Sequence, residues 1–216
     1  LFCPKLERMS VLLPIHIAAG SLALLCALVA ISTSKGKTWH IMSGRIYFWS
    51  MAVIFLTALP MAIIQETMFL FLVAIFSFYL AFAGMRFARN RKAEPAVVDW
   101  IAATLMISAG LGMWILSIVY IVRSDSQFIT LILFGIISIS LGVTDFKTHS
   151  NRTARGQERI ARHLTNMMAG TIAVITAVLV TNIDTEPVWI WWILPTFIIT
   201  PIIILWNIKI RHPASP

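Results

Sequence analysis

The chain alternates between long apolar runs and short polar breaks. Seven runs come close to or exceed the roughly 20 residues that a helix needs to cross the hydrocarbon core of a bilayer: 11–32, 45–64, 67–88, 97–122, 127–144, 161–182 and 188–208. Lipid offers no partner to an unpaired backbone group, so runs of this length predict helices. The closest pair of runs is separated only by "RSDSQ", where Arg123 and Asp125 fit a tight turn at the membrane surface. The fold class expected is all-α, a polytopic transmembrane bundle of seven helices.

The segmentation expected is a short N-terminal segment over 1–10, a single seven-helix domain over 11–208 and a basic tail over 209–216. Residues 1–8, which precede Met9, read as a tag remnant, an upstream start or a processed end, and they are set apart from the fold. The first apolar run is too long for a signal-peptide core and reads as a retained span. Serine and glycine at helical spacing (Ser108 with Gly112, Gly135 with Gly142) suit close helix–helix contact.

Composition supports the bilayer as solvent. Of 216 residues, 59% are hydrophobic and 12% charged, against roughly 45–50% and 25% in an ordinary soluble domain. The net charge of +8 would suit nucleic acid if it were spread over one surface. Instead, fourteen of the seventeen Lys and Arg residues fall in or beside alternate loops: Lys35, Lys37 and Arg45; Arg86 to Lys92; Lys147 to Arg162; and Lys209 with Arg211. By the positive-inside rule these loops are cytoplasmic, which puts the N-terminus outside and the C-terminus inside. The basic charge then reports topology and an affinity for anionic lipid headgroups, and no nucleic-acid partner is needed. Cys3 and Cys26 imply no disulfide framework. Trp189, Trp191 and Trp192 open the last run and Trp206 closes it, as an aromatic belt would. Pro195 and Pro201 should bend it.

Ionisable groups inside the runs are the candidates for chemistry. His16 lies near the outer end of the first run, with Gly20 one turn deeper on the same side. That glycine leaves room for a flat cofactor or for another helix. "WHIMSGR" repeats the skeleton as His40 and Gly44, but about 24 Å away at 1.5 Å per residue, so the two copies are two sites or none. Partners for His40 must come from the cytoplasmic face. His163 in "RIARHLTNMMAG" is the first choice, sharing a helical face with Arg159. Asp99 begins the fourth run and Asp145 ends the fifth. His149 is placed in the loop that follows and is read as solvated, and His212 as irrelevant.

Three readings arise for this His40/His163/Asp99/Asp145 cluster. Two imidazoles at one depth suit the axial positions of haem b. Histidine with aspartate suits Zn²⁺ or another divalent ion. Ion pairs that fix helix positions need neither. No His-Glu-x-x-His, Cys-x-x-Cys or Walker motif is present, and no nucleophilic serine or carboxylate pair points to a hydrolase.

The stretch "HIAAG … KGKTWHIMSGRIYFW … LTALPM" (16–61), with "RIARHLTNMMAGTIAVITAVLVTN" (159–182), resembles the bacterial predicted membrane proteins grouped as domain of unknown function 2306. The matching positions are His16, Lys35, Gly36, His40, Gly44, Arg45, Arg159 and His163. The resemblance implies a polytopic inner-membrane protein and brings no established activity. The leading functional expectation is a non-hydrolytic membrane protein handling a redox cofactor, ion or small molecule, with haem b as its sharpest form. The alternatives are an accessory or structural subunit of a larger membrane complex and, third, a transporter, for which no inverted repeat is evident.

Overall fold

The computed structural model describes residues 4–212. Among them are seven helices and no strand: α1 (Pro4–Ser32), α2 (Thr38–Ile64), α3 (Met68–Arg89), α4 (Val97–Val122), α5 (Phe128–Ser150), α6 (Gly156–Asn182) and α7 (Trp189–Arg211). Each contains a stretch long and apolar enough to cross a membrane. All seven expected runs are therefore helical, in an architecture suited to a multi-pass membrane protein. Residues 1–3 of the N-terminal segment and 213–216 of the tail lie outside the described residues. Of the expected tail, Lys209 and Arg211 form the last turn of α7.

The boundaries differ at the polar ends. α2 starts at Thr38, α5 runs on to Ser150 and α6 starts at Gly156. His40 and Gly44 therefore sit inside α2, and Asp145 inside α5. His149 corrects the expectation of a solvated loop residue: it is helical and buried. Apolar content marks where lipid begins, whereas a helix continues for as long as its next turn can be bonded and packed.

The chain divides into two compact units, Leu1–Phe78 and Tyr79–Pro216, with the division inside α3. In the first unit α1 and α2 are antiparallel neighbours joined by a short turn. Lys37 N–H closes this turn on Ser34 O at 3.2 Å. Gly36 occupies its third position at φ +76°, a conformation that costs glycine little and other residues more. Phe78, midway along α3, stacks on Phe55 of α2 with centroids 4.6 Å apart.

In the second unit α4 and α5 form the tightest pair. The buried positions include Ala103, Met106, Gly110, Met113 and Ser117 on α4, and Leu131, Gly135, Ser138, Gly142, Asp145 and His149 on α5. Both stripes alternate steps of three and four, the repeat of two helices packed along a seam. Ser138 Oγ donates to Met106 O at 2.6 Å. A Cβ on Gly110 would stand 3.0 Å from Gly135 O, and one on Gly135 3.0 Å from Gly110 O, so each glycine admits the other's backbone. Gly135 and Gly142 thus act as expected. Ser108 does not, being exposed while Gly110 takes the contact. α7 packs on α6, where Asn207 Nδ2 donates to Thr165 Oγ1 at 2.8 Å. Trp192 is buried edge-on to Phe134, centroids 6.2 Å apart, so this member of the expected belt is an interior residue.

Gly110→Leu should destabilise the protein by roughly 1–3 kcal/mol through overpacking, whereas Ser108→Leu on the exposed face should be near neutral. Thermal unfolding in detergent separates the two, and equal losses would show that the seam is wrongly placed.

Candidate functional site

Helix C-termini leave carbonyls without intrahelical partners, and two of the sequence motifs serve this need. In the first unit the Lys35 ammonium donates to the carbonyls of Ala30, Ile31 and Thr33 at the end of α1. His40 Nδ1 lies 3.0 Å from Ala30 O. Burial against the helix end lowers the Lys35 ammonium below its ordinary pKa. In the second unit Arg159 Nη1 donates to Ala88 O at 2.6 Å and Phe87 O at 3.3 Å, at the end of α3. His163 Nδ1 lies 2.8 Å from Gly84 O, one turn back. A cation and an imidazole are thus laid on the negative end of a helix twice over. Gly84 lets α6 come this close, since a Cβ there would lie 2.7 Å from the Met167 side chain and 3.2 Å from its backbone N.

These contacts fix the tautomers. A carbonyl oxygen only accepts, so Nδ1 of His40 and of His163 carries the proton, and in the neutral ring Nε2 has the lone pair. His16 Nδ1 is 2.9 Å from Thr57 Oγ1, and the Thr57 hydroxyl is also within reach of the carbonyls of Val53 and Ile54. His40 meets α1 at Ala30, fourteen residues beyond His16, or about 21 Å along a helix. The two histidines of the first unit accordingly mark two separate places. A Cβ on Gly20 or Gly44 would meet nothing within 4 Å. Neither glycine is there to admit another helix of its own unit.

The remaining candidates gather where α3 and α5 end and α4 and α6 begin. Arg86 grips Asp99 with two bonds, Nε to Oδ1 at 2.6 Å and Nη2 to Oδ2 at 2.7 Å. Asp99 Oδ2 also accepts the N–H of Ala96 at 2.8 Å, capping the positive end of α4. Asp145 receives the Tyr79 hydroxyl on Oδ2 at 2.8 Å and Asn166 Nδ2 on the same oxygen at 3.4 Å. Arg162 Nη1 is 3.5 Å from Oδ1. Arg162 is held by Glu158, Nε to Oε1 at 3.1 Å, and Glu158 in turn meets Arg211 of α7 at 3.0 Å. His149 stacks on Phe87 at 5.1 Å and 8° and lies edge-on to Trp100 at 6.0 Å.

His163, Asp99 and Asp145 thus belong to the second unit and His16, His40 and Gly44 to the first. The carboxylate of Asp99 is committed to Arg86 and the cap of α4. Among the described residues no group of three or more His, Cys, Asp or Glu side chains is arranged to hold a metal ion. Tyr79, Gly84, Arg86, Arg162 and Asn166 were not singled out as site residues by the sequence reading. Of these, Asn166 carries the clearest signal, a carboxamide within the apolar part of "HLTNMMAG". No known protein family, curated protein or solved structure matches the chain.

Arg86→Met leaves Asp99 buried and without its counter-charge. Breaking a buried pair from one side costs about 3–5 kcal/mol, and with Arg86 27% exposed the lower end of that range is expected. Arg86→Met/Asp99→Leu should recover part of the loss, short of full recovery because the α4 cap is gone. Denaturant unfolding of the three proteins provides the comparison, and a silent Arg86→Met would refute the pairing.

Proposed function

We propose that the chain is a multi-pass inner-membrane protein without hydrolytic activity, whose membrane histidines serve as ligands to a flat redox cofactor, haem b in the sharpest form. The observation that carries this reading is the shared tautomer. At His40 and His163 a hydrogen bond to a carbonyl holds the Nδ1 proton, so in the neutral ring the lone pair is on Nε2. Anchoring the distal ring nitrogen in this way fixes the orientation and raises the basicity of an imidazole ligand. The donor chemistry therefore fits a haem iron. Gly20 and Gly44 add support, each one turn beyond its histidine with open space over its Cα. His40 in the first unit and His163 in the second are each a residue that would ligate such a group, and haem bound there would supply one-electron transfer.

A second reading has an observation of its own. Lys35, Arg159 and Arg86 all lock helix ends, as expected of an accessory subunit whose polar residues only set its shape. In both readings the basic loops face the cytoplasm and the anionic headgroups of that leaflet.

Purified protein from haem-supplied cells should show a Soret band that weakens or shifts in His40→Ala and His163→Ala. A colourless wild type would reject the cofactor reading, and stoichiometric co-purifying membrane proteins would favour the subunit. For topology, cysteines at Lys35 and Arg89 should react with an impermeant maleimide only after the membrane is opened. Labelling of intact cells would reverse the orientation.

A further inference from the structure

We propose that Asp145 is a proton-binding site, holding a proton on Oδ1 and sharing it with Asn166 in a cyclic acid–amide pair. Asp145 and Asn166 are both fully buried, and Asp145 Oδ1 and Asn166 Oδ1 are buried oxygens with no hydrogen-bond donor. An ionised carboxylate has only acceptor sites, about four of them, and a sealed oxygen left without a donor is costly. The other halves of the same two side chains are already joined, Asn166 Nδ2 to Asp145 Oδ2 at 3.4 Å. A carboxylic acid and a carboxamide pair through two bonds, amide N–H to one acid oxygen and acid O–H to the amide oxygen. In the proposed pair the two orphaned oxygens are the ends of the second bond. One proton on Asp145 satisfies both.

The ion-pair alternative is weaker on its own geometry. Charge-assisted N–H···O bonds run to about 2.7–2.9 Å, as Arg86 and Asp99 show at 2.6 and 2.7 Å. Arg162 stands off from Asp145 at 3.5 Å and bonds Glu158 instead. The titratable and charged groups at this end of the unit include Tyr79 and Arg86 of α3, Asp99 of α4, Lys147 and His149 of α5, Glu158, Arg159, Arg162 and His163 of α6 and Arg211 of α7. Among them Tyr79 donates to Oδ2 and leaves Oδ1 to the proton. When Asp145 releases that proton to water, the carboxylate loses the second bond to Asn166 and gains a reason to draw Arg162 in. Arg162 is the residue that links Asp145 through Glu158 to α7, so proton occupancy bears on the α5–α6–α7 contacts. The proposal stands independently of any cofactor.

Infrared spectra of the full-length protein in lipid at neutral pH test it. The expected result is a protonated-carboxyl C=O band that moves in heavy water and is missing in Asp145→Asn, with that variant melting where wild type does, because an amide re-forms the cyclic pair. In Asn166→Leu the band should shift, since the acid has lost its amide. A wild-type spectrum with no band removed by Asp145→Asn overturns the proposal, and so does a band indifferent to Asn166→Leu. A carboxylate satisfied by buried water or by Arg162 gives the first of these negative results, together with a lower melting temperature for Asp145→Asn.

Discussion

A helix that ends at a membrane leaves carbonyls that neither its own backbone nor lipid can satisfy, and the polar architecture here is organised around that need. The end of α1 is closed by Lys35 and His40 and the end of α3 by Arg159 and His163. Each cation also opposes the negative helix end. Both histidines belong to the helix that is being docked, so each clamp satisfies the backbone and at the same time sets where the next helix lies. In the first unit that position is fixed a second time, at the far end, by His16 and Thr57. In the second, α6 can be drawn onto α3 because position 84 is glycine.

With α6 placed by Arg159 and His163, the residues between and after them are set opposite α5. Arg162 and Asn166 then reach Asp145, and Glu158 reaches α7. The two buried aspartates receive very different treatment. Asp99 sits at a helix N-terminus with a bidentate arginine and a backbone N–H, and its charge is answered three times. Asp145 lies within α5 and is met by a phenol, an amide and a guanidinium 3.5 Å away. Buried polar groups of this kind add little net stability over an apolar core. Their effect is on which helix faces meet, because a rotated α5 or α6 would strand Asp145 without Tyr79 or Asn166.

The seven helices were legible because lipid imposes one requirement, length and apolarity, that a single sequence displays directly. Their polar ends were not. His149 looked solvated because it falls beyond the fifth apolar run, in the polar stretch that follows. It is buried because Leu131, Gly135, Ser138, Gly142 and Asp145 set a three–four stripe that His149 continues. The stripe was available in the sequence but is visible only once the helix is known to extend past the apolar run. The α4 face was misread for a related reason: spacing of four makes Ser108 and Gly112 a pair, and only the partner helix shows that Gly110 is the one in contact. Asp99 and Asp145 could be named from sequence as carboxylates at the ends of the fourth and fifth runs. That one is locked and the other is not depends on Arg86 and Tyr79 projecting from α3, which no spacing rule relates to α4 or α5.

The same contacts bear on what the histidines can do. A structural clamp and a ligand are commonly weighed as alternatives for a membrane histidine, yet a clamp acting through Nδ1 meets one requirement of a ligand. It removes rotation of the ring and places the lone pair on the opposite nitrogen, at no further entropic cost when something binds. The repeated basic–histidine motif is therefore compatible with chemistry because of its structural role. Asp145 shows the converse. No helix end holds it and no arginine grips it, so its protonation state is the variable element at this end of the second unit, and the fixed histidines and the locked Asp99 form the frame within which it can vary.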